Sequence, residues 1–141
     1  MMTRAQVLTM QIAVALTAIT GIVFAWMKYA MKSDDPFAVL NHPLQPWMLS
    51  AHVVVAPLAV FAIGWIFGNH IAPAFVNGSR KRPSGVSSMW MIAPMIVSGY
   101  LMQVSTADAL RQAMAVAHWI SSGAFVIAYG VHVFNRRSTS S

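Results

Sequence analysis

The sequence contains no cysteine. That absence removes disulfides, thiolate metal sites, iron–sulfur clusters, covalent c-type haem and cysteine nucleophiles together. Charge is nearly as scarce, at 9% of 141 residues with only three acids. A soluble domain carries roughly 25% charged residues. So few charges cannot wet the surface of a globule, which excludes a soluble enzyme, a disordered tail and a conventional nucleic-acid module. The net charge of +6 arises from 9 basic against 3 acidic residues. It reflects missing acids more than a basic patch, and no nucleic-acid partner is expected.

What the chain has in excess is apolar surface, at 57% hydrophobic residues. A transmembrane helix needs about 20 mostly apolar residues. Four runs meet that need, at about residues 7–31, 47–67, 86–104 and 113–134. The runs are continuous and do not alternate, which argues against a membrane barrel. Within a bilayer each backbone group must be paired inside its own segment, so such runs become helices. The expected fold is all-α, an integral membrane up-down four-helix bundle. The first run is long, lacks a small-residue cleavage site and carries Lys28, with Lys32 following it; it is expected to stay as a span and not to be removed as a signal peptide. The connections are residues 32–46, residues 69–85 and a short third loop from Ser105 to about Arg111. No internal repeat, low-complexity tract or linker is legible, so residues 1–141 read as one transmembrane domain.

The basic residues set an orientation. Arg4, Arg80, Lys81, Arg82, Arg136 and Arg137 fall on one side. Lys28, Lys32, Arg111 and all three acids fall on the other. Both termini are then cytoplasmic. In a bacterial inner membrane the first and third loops face the periplasm.

Ionisable side chains within spans are costly and mark functional sites by default. His52 and His70 stand near the two ends of the second run, and His118 and His132 near the two ends of the fourth. Those two helices run the same way. His52 and His118 therefore share the outer depth, and His70 and His132 the inner depth. At about 100° per residue, the step from His52 to His70 is five full turns, and that from His118 to His132 is about 40° short of four. Each helix thus presents both histidines on one face. If the two faces meet, two histidine pairs form, each spaced to clamp a planar metal macrocycle. Val55, Ala56, Ala59, Ile63 and Ile66 on one helix, and Ser121, Ser122, Phe125 and Tyr129 on the other, border that space. Gly64 and Gly68 form a GxxxG pattern on another face, read as close helix packing.

Two parallel transmembrane helices, each with an outer and an inner histidine, resemble the di-haem b-type cytochrome subunits of bacterial respiratory oxidoreductases. The 14-residue spacing from His118 to His132 resembles them most. The likeness covers the whole chain as a four-helix subunit, but its specificity lies in four residues. It implies two bis-histidine haem b groups, with His52 and His118 holding the outer and His70 and His132 the inner. It also implies an electron-transfer subunit of a larger complex, in place of a stand-alone enzyme. Arg111 is then the outer propionate candidate. Arg80 and Arg136 are inner candidates, though the 80–82 run is first a topology signal and a site for anionic lipid.

Filled axial positions suit one-electron transfer and not substrate binding. The expected role is a relay between a quinone pool and a periplasmic cytochrome or other redox subunit, with quinone as a further candidate ligand. The scarcity of acids in the spans argues against a proton pump.

The second-helix spacing exceeds the fourth by four residues, or about 6 Å of helix rise. A kink at Pro57, a greater tilt, a position of His70 just past the helix end, or replacement of one ligand by His42 would each absorb it. Otherwise His42 reads as an ordinary loop residue. Gln11, Thr17 and Thr20 on the first helix, and Ser98, Tyr100 and Gln103 on the third, are simplest as interhelical hydrogen-bonding groups. The 11 methionines read mainly as packing filler. Two alternatives stay open: a copper-handling membrane protein using Met and His, and a cofactor-free membrane anchor.

Overall fold

The first helix starts where its sequence offers a complete cap. The Thr3 side chain accepts from the Gln6 backbone N–H, and the Gln6 side chain accepts from the Thr3 N–H. Two orphan donors of the first turn are thereby satisfied. In the computed structural model, which describes residues 2–73 and 83–138, this helix is α1, Arg4–Ala25. It continues through a wider π turn, Trp26–Ala30. α2 spans Gln45–Ile66, with a proline in its first turn and Pro57 in its interior, and ends in a second π turn, Phe67–Ile71. α3 spans Pro83–Val104 and carries Pro94. α4 spans Asp108–Ser138. No strand occurs among the described residues.

Among the described residues, three segments are long and apolar enough to cross a membrane: Arg4–Ala30, Gln45–Ile66 and Asp108–Asn135. The helix α3 is of similar length, 22 residues, but is diluted by Ser87, Ser88, Ser98, Tyr100 and Gln103. The apolar runs therefore all become helices, with three apolar enough to span.

Two boundaries shift. The third connection, expected from Ser105 to about Arg111, is only residues 105–107. Arg111 consequently lies in the first turn of α4, where its backbone N–H donates to the Ala107 carbonyl. Asp108 also starts that turn, where a carboxylate opposes the positive end of the helix dipole. The second helix, expected to end near residue 67, instead continues as a π turn that contains His70.

The chain divides into two compact units, Met1–Val76 and Asn77–Ser141. The first is the hairpin of α1 on α2, and the second is the hairpin of α3 on α4. In the first, Met10, Ala13, Val14 and Ala25 of α1 are buried, as are Ala59, Ala62, Ile63 and Ile66 of α2. Their steps of three and four residues make one stripe per helix. In the second, Ser98 of α3 and Ser121 and Phe125 of α4 are buried. Small residues at both seams let the backbones approach closely. Large apolar side chains such as Ile19, Ile22, Phe61, Ile120 and Ile127 point outward. So many exposed large apolar side chains suit a lipid solvent.

Candidate functional site

The candidate site is built from histidines placed near the loop end of each hairpin. His52 lies two turns into α2 and is half-buried against α1. Its Nδ1 is 3.0 Å from the Thr17 carbonyl oxygen and 3.2 Å from Thr20 Oγ1. A carbonyl can only accept, so Nδ1 carries the proton and donates. The Thr20 hydroxyl proton goes to the Leu16 carbonyl at 2.8 Å, which leaves its oxygen lone pair toward the ring. Gly21 lies beneath the imidazole. A Cβ there would stand 2.9 Å from His52 Cε1 and 3.1 Å from Nδ1.

His118 repeats these contacts in the second hairpin. Its Nδ1 is 2.9 Å from the Met95 carbonyl oxygen and 3.4 Å from Ser98 Oγ. The Ser98 hydroxyl donates to the Pro94 carbonyl at 2.6 Å. A Cβ on Gly99 would stand 3.3 Å from both Cε1 and Nδ1 of the ring. In each hairpin a carbonyl, a hydroxyl three residues later and a glycine four residues later meet one imidazole. Residues at those steps share a helix face.

A neutral imidazole protonated on Nδ1 presents its lone pair on Nε2. Metal-ligating histidines commonly have this form, because donating the other N–H fixes the ring and raises its basicity. Each side chain thus has its Nδ1 engaged in the manner of a metal-ligating histidine. His42 has the opposite form. Its Nδ1 accepts from the Leu44 N–H at 3.1 Å, just before α2 begins. The Nδ1 lone pair is thereby used within the turn. His42 is a turn residue just ahead of α2.

The remaining two histidines differ from each other. His132 follows Ser121 and Phe125 on the buried stripe of α4; it is half-buried and its Nδ1 is buried. His70 would continue the Ala59–Ile63–Ile66 stripe on a straight α-helix, yet it is exposed. The π turn explains this departure. A turn closed by i→i+5 bonds rotates less per residue than an α turn, so His70 lags behind the expected face. The five-turn superposition of His52 and His70 fails for that reason.

The histidine faces are also covered differently than expected. Ala59, Ile63 and Ile66, expected to border a macrocycle between α2 and α4, are buried in the α1–α2 hairpin. Ser121 and Phe125 are buried in the α3–α4 hairpin, where Phe125 stacks on Tyr129 at 5.8 Å between centroids. Cβ atoms on Gly64 and Gly68 would meet nothing within 4 Å, so this pair does not serve the α1–α2 seam.

Arg111 is exposed and lies 3.8 Å from Asp108, an exposed ion pair of at most about 1 kcal/mol. Arg80 lies outside the described residues. Arg136 lies on the last turn of α4, and its side chain is likewise outside them. Among the described residues no group of three or more His, Cys, Asp or Glu side chains is placed to hold a metal. The interhelical role expected of the hydroxyls holds for Thr17, Thr20 and Ser98, which reach Val55, His52 and His118 respectively. Gly21 and Gly99 were missed. Their signal was a hydroxyl–glycine pair late in one helix followed by a histidine early in the next, occurring twice.

No family model, curated protein or solved structure matches the chain. The assignment of a function rests on the residues alone.

Proposed function

We propose that this chain is a small di-haem cytochrome b of the bacterial inner membrane, relaying electrons between a quinone pool and a periplasmic redox partner. His52 and His118 would hold the outer haem, and His70 and His132 the inner one. One observation carries the proposal: His52 and His118, on different hairpins, are both held through Nδ1 with Nε2 as the donor atom. A haem would ask the protein for only a single imidazole from each of two helices. That need agrees with isolated histidines better than a bare metal site does. Haem b held by two imidazoles would supply one-electron transfer.

The protein's part is to hold the imidazoles, keep the surroundings apolar and limit water. Its three strongly apolar helices suit that task. The six basic residues at Arg4, 80–82 and 136–137 orient both termini to the cytoplasm. Arg111 then lies on the periplasmic side, near the outer haem.

The test is the reduced-minus-oxidised visible spectrum of the full chain, purified in detergent from haem-replete cells. A b-type spectrum is the expected result. Protein without haem would overturn the proposal, and copper without porphyrin would favour a metal-handling role instead.

A further inference from the structure

The two hairpins differ in nearly everything that fixes a helix crossing. They share no legible repeat. Their loops run from 31 to 44 in one and from 105 to 107 in the other. The carbonyl and the imidazole that meet are 35 residues apart in the first hairpin and 23 in the second. Yet the same atoms meet in the same order. Thr17 carbonyl, Thr20 hydroxyl and Gly21 receive His52, while Met95 carbonyl, Ser98 hydroxyl and Gly99 receive His118.

We propose that Thr20–Gly21 and Ser98–Gly99 are positioning residues of a duplicated histidine mount, which seats each imidazole on a glycine and locks its Nδ1–H toward the helix behind it. The mount rests on the proposed function only for the identity of the group bound at Nε2.

Each part has a separate physical task. The carbonyl of residue i already accepts the helical N–H of residue i+4, and its second lone pair takes the imidazole. The hydroxyl donates its own proton backward along its helix, to Leu16 and Thr17 in one case and to Pro94 and Met95 in the other. Its oxygen can therefore face the ring only as an acceptor, which rejects the other tautomer. The glycine removes the Cβ that would push the ring away. The clearance is tighter at Gly21, at 2.9 Å, than at Gly99, at 3.3 Å. A contact under 3.0 Å forces a displacement, whereas one at 3.3 Å asks for only a few tenths of an ångström. The two seats are thus unequal in tolerance though equal in design.

The test uses the full chain as purified, with ¹⁵N-labelled histidine, under reducing conditions that leave a bis-histidine haem diamagnetic. Two-bond ¹H–¹⁵N correlations read the tautomer and hydrogen bonding of each ring. His52 and His118 should both be protonated on Nδ1, with strongly deshielded protons. Thr20→Val should move the Nδ1–H signal of His52 alone, and Ser98→Ala that of His118 alone. Thr20→Ser and Ser98→Thr should restore each signal. Gly21→Ala should displace His52 more than Gly99→Ala displaces His118. An Nε2–H tautomer at either residue, or signals indifferent to Thr20→Val and Ser98→Ala, would overturn the mount. The reading works with or without haem. Haem-free protein with both tautomers as stated would keep the mount and reject the cytochrome; haem-loaded protein with indifferent signals would do the reverse.

Discussion

Each hairpin has a closed end, where a loop joins its helices, and an open end, where none does. The closed ends are alike. His52 and His118 sit there, each with Nδ1 on a carbonyl and a glycine beneath the ring. The open ends are unlike. α2 leaves the α path at Phe67 and carries His70 exposed on a π turn, while α4 continues as α-helix past a half-buried His132. Four histidines that stand near helix ends in matching order are therefore two equivalent residues and two that are not. Where a loop and a glycine seat fix the crossing, unrelated sequences converge on one arrangement. Where neither acts, a single change of helix type moves a side chain off its face.

Substituting the histidines tests this comparison with the largest effects. His52→Ala and His118→Ala should each remove the outer haem completely, so that haem per chain falls by half in either variant. Equal losses would support the equivalence of the closed ends, and retention of full haem in either would break it. His132→Ala should remove the inner haem instead. His70→Ala should do so too. His42→Ala should leave both haems in place.

The glycine seats come next. A Cβ in a filled seam costs typically about 1–3 kcal/mol. Alanine recovers about 1 kcal/mol of helix propensity against that cost, so Gly21→Ala should lower the thermal midpoint of the protein in detergent by less than the clash alone implies. Gly99→Ala, with its wider clearance, should fall at or below the lower bound. The reverse order would show that the seats are not what limits the rings. The smallest effects belong to the hydroxyls. Losing one hydrogen bond of this kind costs about 0.5–1.5 kcal/mol. Thr20→Val and Ser98→Ala should therefore shift the outer haem's midpoint potential while leaving haem content unchanged.

Much of the fold was legible because lipid imposes a simple rule, and the apolar runs around Ile12, Phe61 and Ile127 could only become helices. The period of α4 also placed His118, Ser121, Phe125 and His132 on one face, as the structure has them. His70 was misplaced because a constant 100° per residue assumes that the helix type never changes. The faces of α2 and α4 were assigned to each other because sequence period gives a face but not its partner. The structure covers those faces within each hairpin, with α1 and α3. Gly21 and Gly99 escaped notice for the same reason: what a glycine admits becomes visible only when the crossing helix is known.

The most direct measurement is the haem-to-chain ratio of the purified wild-type protein by pyridine haemochrome assay. The account predicts two b-type haems for each chain. A chain that contains none, made in cells with ample haem, would contradict it.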